Sequence, residues 1–285
     1  MKLGIALSGG GIRGLAHAGV LKALEENDIK VDIIGGTSSG SIVATLYAMG
    51  FSPYYIYILT KKYSKKILQT SNIPIISEIG NFILNKKFKL NGLKENYELE
   101  KAFDEIANNK GIKNLEDLKM PLLIPTVDIS NSKEYIFTSQ IPNGEEKNDK
   151  YITDIPIGKA VRCSCNFPVV FSPCNYDNHI FMDGGILNNI PACEIKKLGA
   201  EKIISIKFDS DNVTNQSNIM DILMKSLDIM GNKMCEESLK ISDMVITIPS
   251  DGTGLLDTDK IDMCYEAGYK VGLENMQKIK QICGL

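Results

Sequence analysis

Long apolar runs are missing from this chain. No window approaches the ~20 consecutive apolar residues that a membrane-spanning helix needs. The opening MKLGIALSGGG also lacks the extended apolar stretch of a secretory leader. Any membrane contact is therefore expected to be peripheral. A strong charge of one sign is missing too. Lys and Arg number 32 against 35 Asp and Glu, a net −3, which gives no electrostatic reason to expect a nucleic-acid partner. The seven cysteines are odd in number and irregularly spaced, so they do not read as a disulfide framework. A reducing, cytoplasmic setting is the expectation. Histidine is scarce, with only His17 and His179, and neither repeats nor low-complexity tracts occur. What remains is ordinary for a globular chain: 285 residues, 44% apolar and 24% charged, long enough for a buried core.

Short apolar runs alternate with amphipathic ones. LGIAL (3–7), VDIIG (31–35), PLLIPTVDI (121–129), KEYIFTS (133–139), KIISIKF (202–208) and DMVITIP (243–249) read as strands. GLAHAGVLKALEEN and SGSIVATLYAMG read as helices, the second stopped by Gly50, and Ser52-Pro53 starts another. Further helices are expected over residues 97–108, 156–165, 191–199, 217–241 and 258–282. Alternation of this kind predicts an α/β fold with a largely parallel central sheet and helices on both faces, as one domain over residues 1–285. Residues 69–96 fit no element and are expected to form a lid or a helical excursion.

Two glycine clusters follow the first two strands. SGGGIRG holds G-x-G-x-x-G as Gly9, Gly11 and Gly14, between a strand and a helix, which raises dinucleotide binding. That motif needs an acidic residue at the far end of the second strand. Asp32 instead stands at that strand's beginning, and its far end carries GTSSG. Three consecutive glycines suit close backbone approach and offer N–H groups to developing negative charge.

GTSSG matches G-x-S-x-G, with Ser38 central and Gly36 and Gly40 giving room for a sharp strand-to-helix bend. Two readings stand: Ser38 as an activated nucleophile, or Ser38, Ser39 or Ser41 as helix caps. A nucleophile needs a base. His17 shares a helical stripe with Val20, Leu21 and Leu24 and reads as core, while His179 lies on a hairpin turned at Asp177-Asn178. An ordinary Ser-His-Asp triad is therefore unsupported. The better candidate is Asp183, which leaves the end of the IFMD strand at Gly184-Gly185. A carboxylate acting as base requires a site dry enough to raise its affinity for a proton. Cys163 and Cys165 lack nearby partners for zinc and read as small apolar fillers, so no metal is expected.

SGGGIRG, GTSSG and DGG, in that order, resemble the patatin-like phospholipases, the family that includes the neuropathy-target-esterase-like bacterial proteins. GLAHAGVL, TVDIS and AVRCSCNFPVVFSP extend the likeness over about residues 3–200. The resemblance implies a three-layer α/β/α fold related to cytosolic phospholipase A2. It implies a cofactor-independent lipid acyl hydrolase that acts on a lipid or ester substrate through a Ser-Asp dyad. On it, Ser38 is the nucleophile, Asp183 the base, Gly9, Gly10 and Gly11 the oxyanion hole, and Arg13 an anion-stabilising group. Cys163 and Asn166 depart from the family's usual small residues. A catalytically silent lipid- or protein-binding member of the same fold is the alternative, with a nucleotide-binding protein behind it.

Residues 51–100 carry eight lysines against four glutamates, interleaved with tyrosines, Ile and Phe. Such a segment suits peripheral docking on an anionic lipid surface, and equally suits a solvated helix whose tyrosines pack inward. Met220, Met224, Met230 and Met234 follow mostly helical spacing and are expected to be buried.

Overall fold

Leu3, Ile5 and Leu7 fall on one face of the first strand, and Ala6 on the other. The same parting recurs at Ile34 against Ile33, Leu122 and Ile124 against Leu123, Phe137 against Ile136, and Ile204 and Ile206 against Ile203. Both faces of the sheet are therefore apolar and both must be covered. In the computed structural model the described residues are 1–69, 95–145, 150–168, 170–209, 219–250, 252–254 and 257–285.

The first part of the chain forms β1 (Leu3–Leu7), α1 (Leu15–Glu26), β2 (Ile33–Gly36), α2 (Ser39–Ala48), α3 (Pro53–Gln69) and α4 (Tyr97–Asn108). Next come β3 (Leu122–Asp128), β4 (Lys133–Thr138), β5 (Tyr151–Ile152), α5 (Ile157–Ser164), β6 (Cys174–Tyr176), β7 (His179–Asp183) and α6 (Ala192–Lys197). The last part supplies β8 (Lys202–Phe208), α7 (Ile219–Met234), α8 (Glu236–Ile241), β9 (Met244–Ile248), α9 (Ile261–Glu274) and α10 (Met276–Cys283). One face of the sheet packs on α1, α2, α4, α5 and α9, the other on α6 and α8, which gives the three layers expected.

The expected strands are present, each within two residues of its expected ends. Two long helices expected from the sequence are each broken, at Cys235 between α7 and α8 and at Asn275 between α9 and α10. The two-residue β5 was not expected. The expected lid at 69–96 lies outside the described residues apart from Gln69, the last residue of α3, and from 95–96.

The sheet runs β5-β4-β3-β2-β1-β8-β9. Pairings β1–β2, β1–β8, β2–β3, β4–β5 and β8–β9 are parallel, while β4 and β7 lie antiparallel to β3. The site depends on how β3 is shared. β4 covers one edge of it from Leu123 to Asp128. On the other edge β2 pairs with Leu122 and Leu123, and β7 with Thr126 to Asp128. β2 and β7 thus run toward each other along one edge and stop facing across Ile124 and Pro125. Each ends in a turn at that gap, β2 at Gly36 and β7 at Asp183.

Candidate active site

Ser38 stands in the turn that leaves β2, at φ 53° and ψ −126°. Residues with a side chain rarely adopt this left-handed setting, and it persists only where the surroundings enforce it. Here they do. The Ser38 carbonyl accepts the Ser41 N–H at 2.8 Å, the Ser41 hydroxyl at 2.6 Å and the Cys165 thiol at 3.1 Å. The Ser38 N–H donates to Ser164 Oγ at 3.1 Å, and the Ser164 hydroxyl donates onward to the Pro125 carbonyl at 2.7 Å. Gly36 and Gly40 admit the bend: a Cβ on Gly36 would strike the Gly40 carbonyl, and one on Gly40 would lie 2.6 Å from the Leu7 carbonyl. The Ser38 side chain makes no cap bond to α2, so its hydroxyl is left for other work.

Asp183 arrives from the opposite direction at the end of β7 and is only 2% exposed. Its Oδ1 accepts the Gly185 N–H at 2.8 Å. The Ser38 hydroxyl is near enough to stabilise the carboxylate, yet no bond of full hydrogen-bond geometry closes between them, and Oδ2 is left without a donor. Burial pushes the Asp183 carboxyl up to about 6, against the opposing pull of Ser38 and Gly185. A carboxylate with this affinity can take a proton near neutrality and give it back.

The glycine turn is less open than three bare N–H groups would be. Gly9 N–H donates to Asn189 Oδ1 at 2.8 Å, and Gly10 N–H to Ser39 Oγ at 3.1 Å. Gly11, at φ 60°, has no partner for its N–H among the described residues. Arg13 does not line the cavity. The 3-10 turn Gly11–Gly14 carries it to the far side, where it is 5% exposed, packs over the Phe208 ring and donates from Nε to the Gly10 carbonyl at 3.3 Å. From there it braces the turn.

Neither histidine is bonded to Ser38 or Asp183. His17 is buried beneath the glycine turn, bonded through Nε2 to the Ser8 carbonyl at 2.8 Å, and burial lowers its pKa to about 4. His179 lies at the other end of β7, with Nδ1 2.7 Å from Asp128 Oδ2. Asp32 accepts the Leu3 N–H at the opposite end of the strands, away from the glycine turn. Cys163 and Asn166 stand behind the cavity wall: Cys163 Sγ contacts Cys174 Sγ at 2.9 Å, and the Asn166 carbonyl accepts the Asp183 N–H at 3.1 Å.

Ser38, Asp183 and Gly9 to Gly11 open together into a cavity of about 640 Å³. Its walls are largely apolar, with Ile42 and Leu46 from α2, Leu59 and Tyr63 from α3, Leu99, Phe103 and Ile106 from α4, and Phe167 and Phe171 from the loop after α5. Ile229, Met230 and Met234 of α7 line it too and are 55–58% exposed, contrary to the burial expected for the methionines. Helical spacing fixes which side chains share a face, not what that face meets. The side chains of Met220 and Met224 lie outside those described. On α3, Tyr54 and Tyr55 are exposed, Tyr57 stacks on Tyr265, and Lys61 pairs with Asp262.

Two residues of this site carried no role in the sequence reading, Ser164 and Asn189. Ser164 lies inside AVRCSCNFPVVFSP, a block that carried the resemblance, and Asn189 lies four residues beyond DGG, outside the blocks that did. Membership of that block is the only signal the sequence holds for Ser164, and it holds none for Asn189, because their bonds cross 126 and 180 residues.

Among curated proteins, this chain is 26% identical over 94% of its length to the Lysophospholipase NTE1 of Meyerozyma guilliermondii, covering 19% of that protein. It is 27% identical over 94% of its length to the Lysophospholipase NTE1 of Candida albicans, again covering 19%. The chain thus spans about a fifth of the length of these fungal relatives. Among solved structures, VipD from Legionella pneumophila superimposes with a TM-score of 0.51 at 16% identity, over 97% of this chain and 67% of that one, a likeness of fold. The family described as patatin-like phospholipase matches residues 5–194, which take in the glycine turn, the Ser38 bend and Asp183. The chain belongs to the patatin-like phospholipase family.

Proposed function

We propose that this protein is a serine acyl hydrolase that cleaves carboxylic esters of single-chain or two-chain phospholipids through Ser38 and Asp183. One observation carries the reading. A strained serine and a buried carboxylate with a raised pKa meet where β2 and β7 converge, at the foot of a large apolar cavity. Asp183 takes the Ser38 proton as Oγ adds to the ester carbonyl carbon, and the carbonyl electron pair moves onto oxygen. The glycine turn, with the Gly11 N–H open, holds that oxyanion. Asp183 then passes its proton to the leaving alcohol, and water, deprotonated by the same carboxylate, releases the fatty acid. The relatives named lysophospholipases favour a lipid ester, and the apolar walls suit an acyl chain.

The test is a fluorescent serine-directed organophosphonate, with the labelled peptide located by mass spectrometry. Label on Ser38, absent from Ser38→Ala and reduced in Asp183→Asn, supports the dyad. A folded wild-type protein that takes no label makes a silent lipid-binding protein the better reading.

Lipid would enter past α3 and α7. Tyr54, Tyr55 and Ile58 are exposed on α3, and Ile229, Met230 and Met234 on α7, while residues of both helices line the cavity. No described helix is long and apolar enough to cross a membrane; the proposal for residues 51–100 is peripheral contact. Neutralising Lys61, Lys62, Lys65 and Lys66 should weaken binding to anionic vesicles; unchanged binding would sink this part.

A further inference from the structure

An oxyanion hole works by keeping donors open toward the place where charge develops. The glycine turn commits two of its three N–H groups to the protein itself, Gly9 to Asn189 and Gly10 to Ser39. The Gly9 bond fixes the Asn189 side chain in a definite sense. A backbone N–H needs an acceptor, so the amide must present Oδ1 to the turn, and its Nδ2, with two N–H groups, is directed elsewhere. Nδ2 has no bonded partner among the described residues, and Asn189 stands in the cavity wall with Ser38, Gly11 and Asp183. The nucleophile is adjacent. The point where a Cβ on Gly9 would stand is 2.7 Å from Asn189 Oδ1 and 3.0 Å from Ser38 Cβ.

The backbone around Asn189 is held on several sides. The Asn188 carbonyl accepts the Thr37 hydroxyl at 2.8 Å, which ties this loop to the turn that carries Ser38. The N–H groups of Asn189 and Ile190 lie near enough to the Cys235 sulfur to favour its thiolate. A side chain fixed this firmly, with its free donors in the cavity, is preorganised in the way transition-state stabilisation requires.

On the reading that Ser38 is the nucleophile, we propose that Asn189 is a side-chain donor of the oxyanion hole, presenting Nδ2–H to the ester oxygen as Ser38 Oγ adds to the carbonyl carbon. It takes one donor, the Gly9 N–H, out of the site and returns another from the cavity wall. Accepting from Gly9 polarises the amide and strengthens the bond its Nδ2 gives. Asn189 is then a catalytic residue, and Gly9 acts through it.

Asn189→Asp separates this role from a structural one. Aspartate keeps an acceptor for Gly9 N–H and loses the donor, whereas Asn189→Ala loses both. A purely structural asparagine predicts an active Asp variant beside a damaged Ala variant. A donor predicts damage in both, with kcat on p-nitrophenyl butyrate lower by roughly 10²-fold or more and KM little changed. Rates are read at the plateau of each variant's pH profile, so that the effect of the added carboxylate on Asp183 drops out. A trifluoromethyl ketone, which forms a hemiketal oxyanion on the serine, should lose affinity by the same factor as kcat/KM, while a fatty acid product binds as before. Melting temperatures establish that the variants are folded, and Asn189→Ala with the ketone gives the same reading should the Asp variant not fold. Ser38 labelled by organophosphonate, with Asn189→Asp turning over within about threefold of wild type, overturns this inference alone. Wild-type protein with neither label nor turnover overturns the dyad, and this inference with it.

Discussion

Asp128 and Asp183 lie on paired strands, at 0% and 2% exposure, and the fold equips them in opposite ways. Asp128 receives the Ser130 N–H at 2.9 Å, the Ser130 hydroxyl at 2.7 Å, the Ile180 N–H at 3.2 Å and His179 Nδ1 at 2.7 Å. Burial pushes its carboxyl up, but these donors outweigh it and hold the group below the usual carboxylate range. Asp183 receives only the Gly185 N–H in full geometry, so burial prevails and the carboxyl rises to about 6. Both side chains are shielded, but Asp183 lies deep among protein atoms and Asp128 near the surface beside exposed Ser130 and Ile180. Depth of burial and supply of donors therefore act together to part the two carboxylates. The well-supplied one staples a hairpin to the sheet; the starved one keeps an oxygen that wants a proton.

The contrast is broken most severely at Asp183. Asp183→Asn should lower kcat on a short-chain ester by roughly 10²- to 10⁴-fold, the range lost with a positioned general base. In the wild type, kcat/KM should rise with pH through about 6 and level off above it, because the base works only when deprotonated. Steady-state kinetics over pH 4.5–9 check both.

The same variant should be more stable than the wild type. The Asp183 pKa of about 6 in the folded state stands above its unfolded value of roughly 3.9, so the folded protein holds the extra proton between those limits. Stability then falls as pH rises through that window, and the loss is complete above it. Asp183→Asn removes the titration and should gain about 3 kcal/mol at pH 8, shrinking toward zero near pH 4. Thermal melts at the two pH values measure it; equal gains at both would show that ionisation is not the cause.

Asp128 should behave in the reverse sense. Its lowered pKa adds stability that is present above the unfolded value near 3.9 and is lost as pH falls below it. Asp128→Ala takes the shared acceptor from the partly exposed donors of Ser130, Ile180 and His179 and should cost about 2 kcal/mol in urea unfolding at pH 7. Labelling of Ser38 should persist in the variant wherever it stays folded.

Much of this was legible because the residue types leave little choice. A serine held on a sharp strand-to-helix bend needs Gly36 and Gly40, a strand buried on both faces needs residues like those of LGIAL and KIISIKF, and a hairpin of two positive-φ residues needs a pair like Asp177-Asn178. What escaped depends on contacts distant in sequence or on the rotation of a turn. The occupation of Gly9 and Gly10 by Asn189 and Ser39 is decided by folding, not by glycine content. Arg13 is placed by one 3-10 turn, which sends it over the Phe208 ring instead of into the cavity. Met230 and Met234 follow a helix face, but the cavity beside that face, which leaves them exposed, has no trace in their spacing.

The smallest effect is expected at His179, and it sharpens the comparison further. The ring packs against Tyr135 and Phe181 and supplies one of the donors to Asp128. Its loss in His179→Ala leaves the Ser130 and Ile180 donors in place, so the carboxylate is poorer by one bond only. The cost should be about 1 kcal/mol in urea unfolding, with ester turnover and Ser38 labelling unchanged. A fall in labelling without a fall in stability would mean that the Asp128 pair reaches Ser38 and Asp183 along β7. The two carboxylates would then be one system rather than two, and burial with few donors at Asp183 would no longer account by itself for its raised pKa.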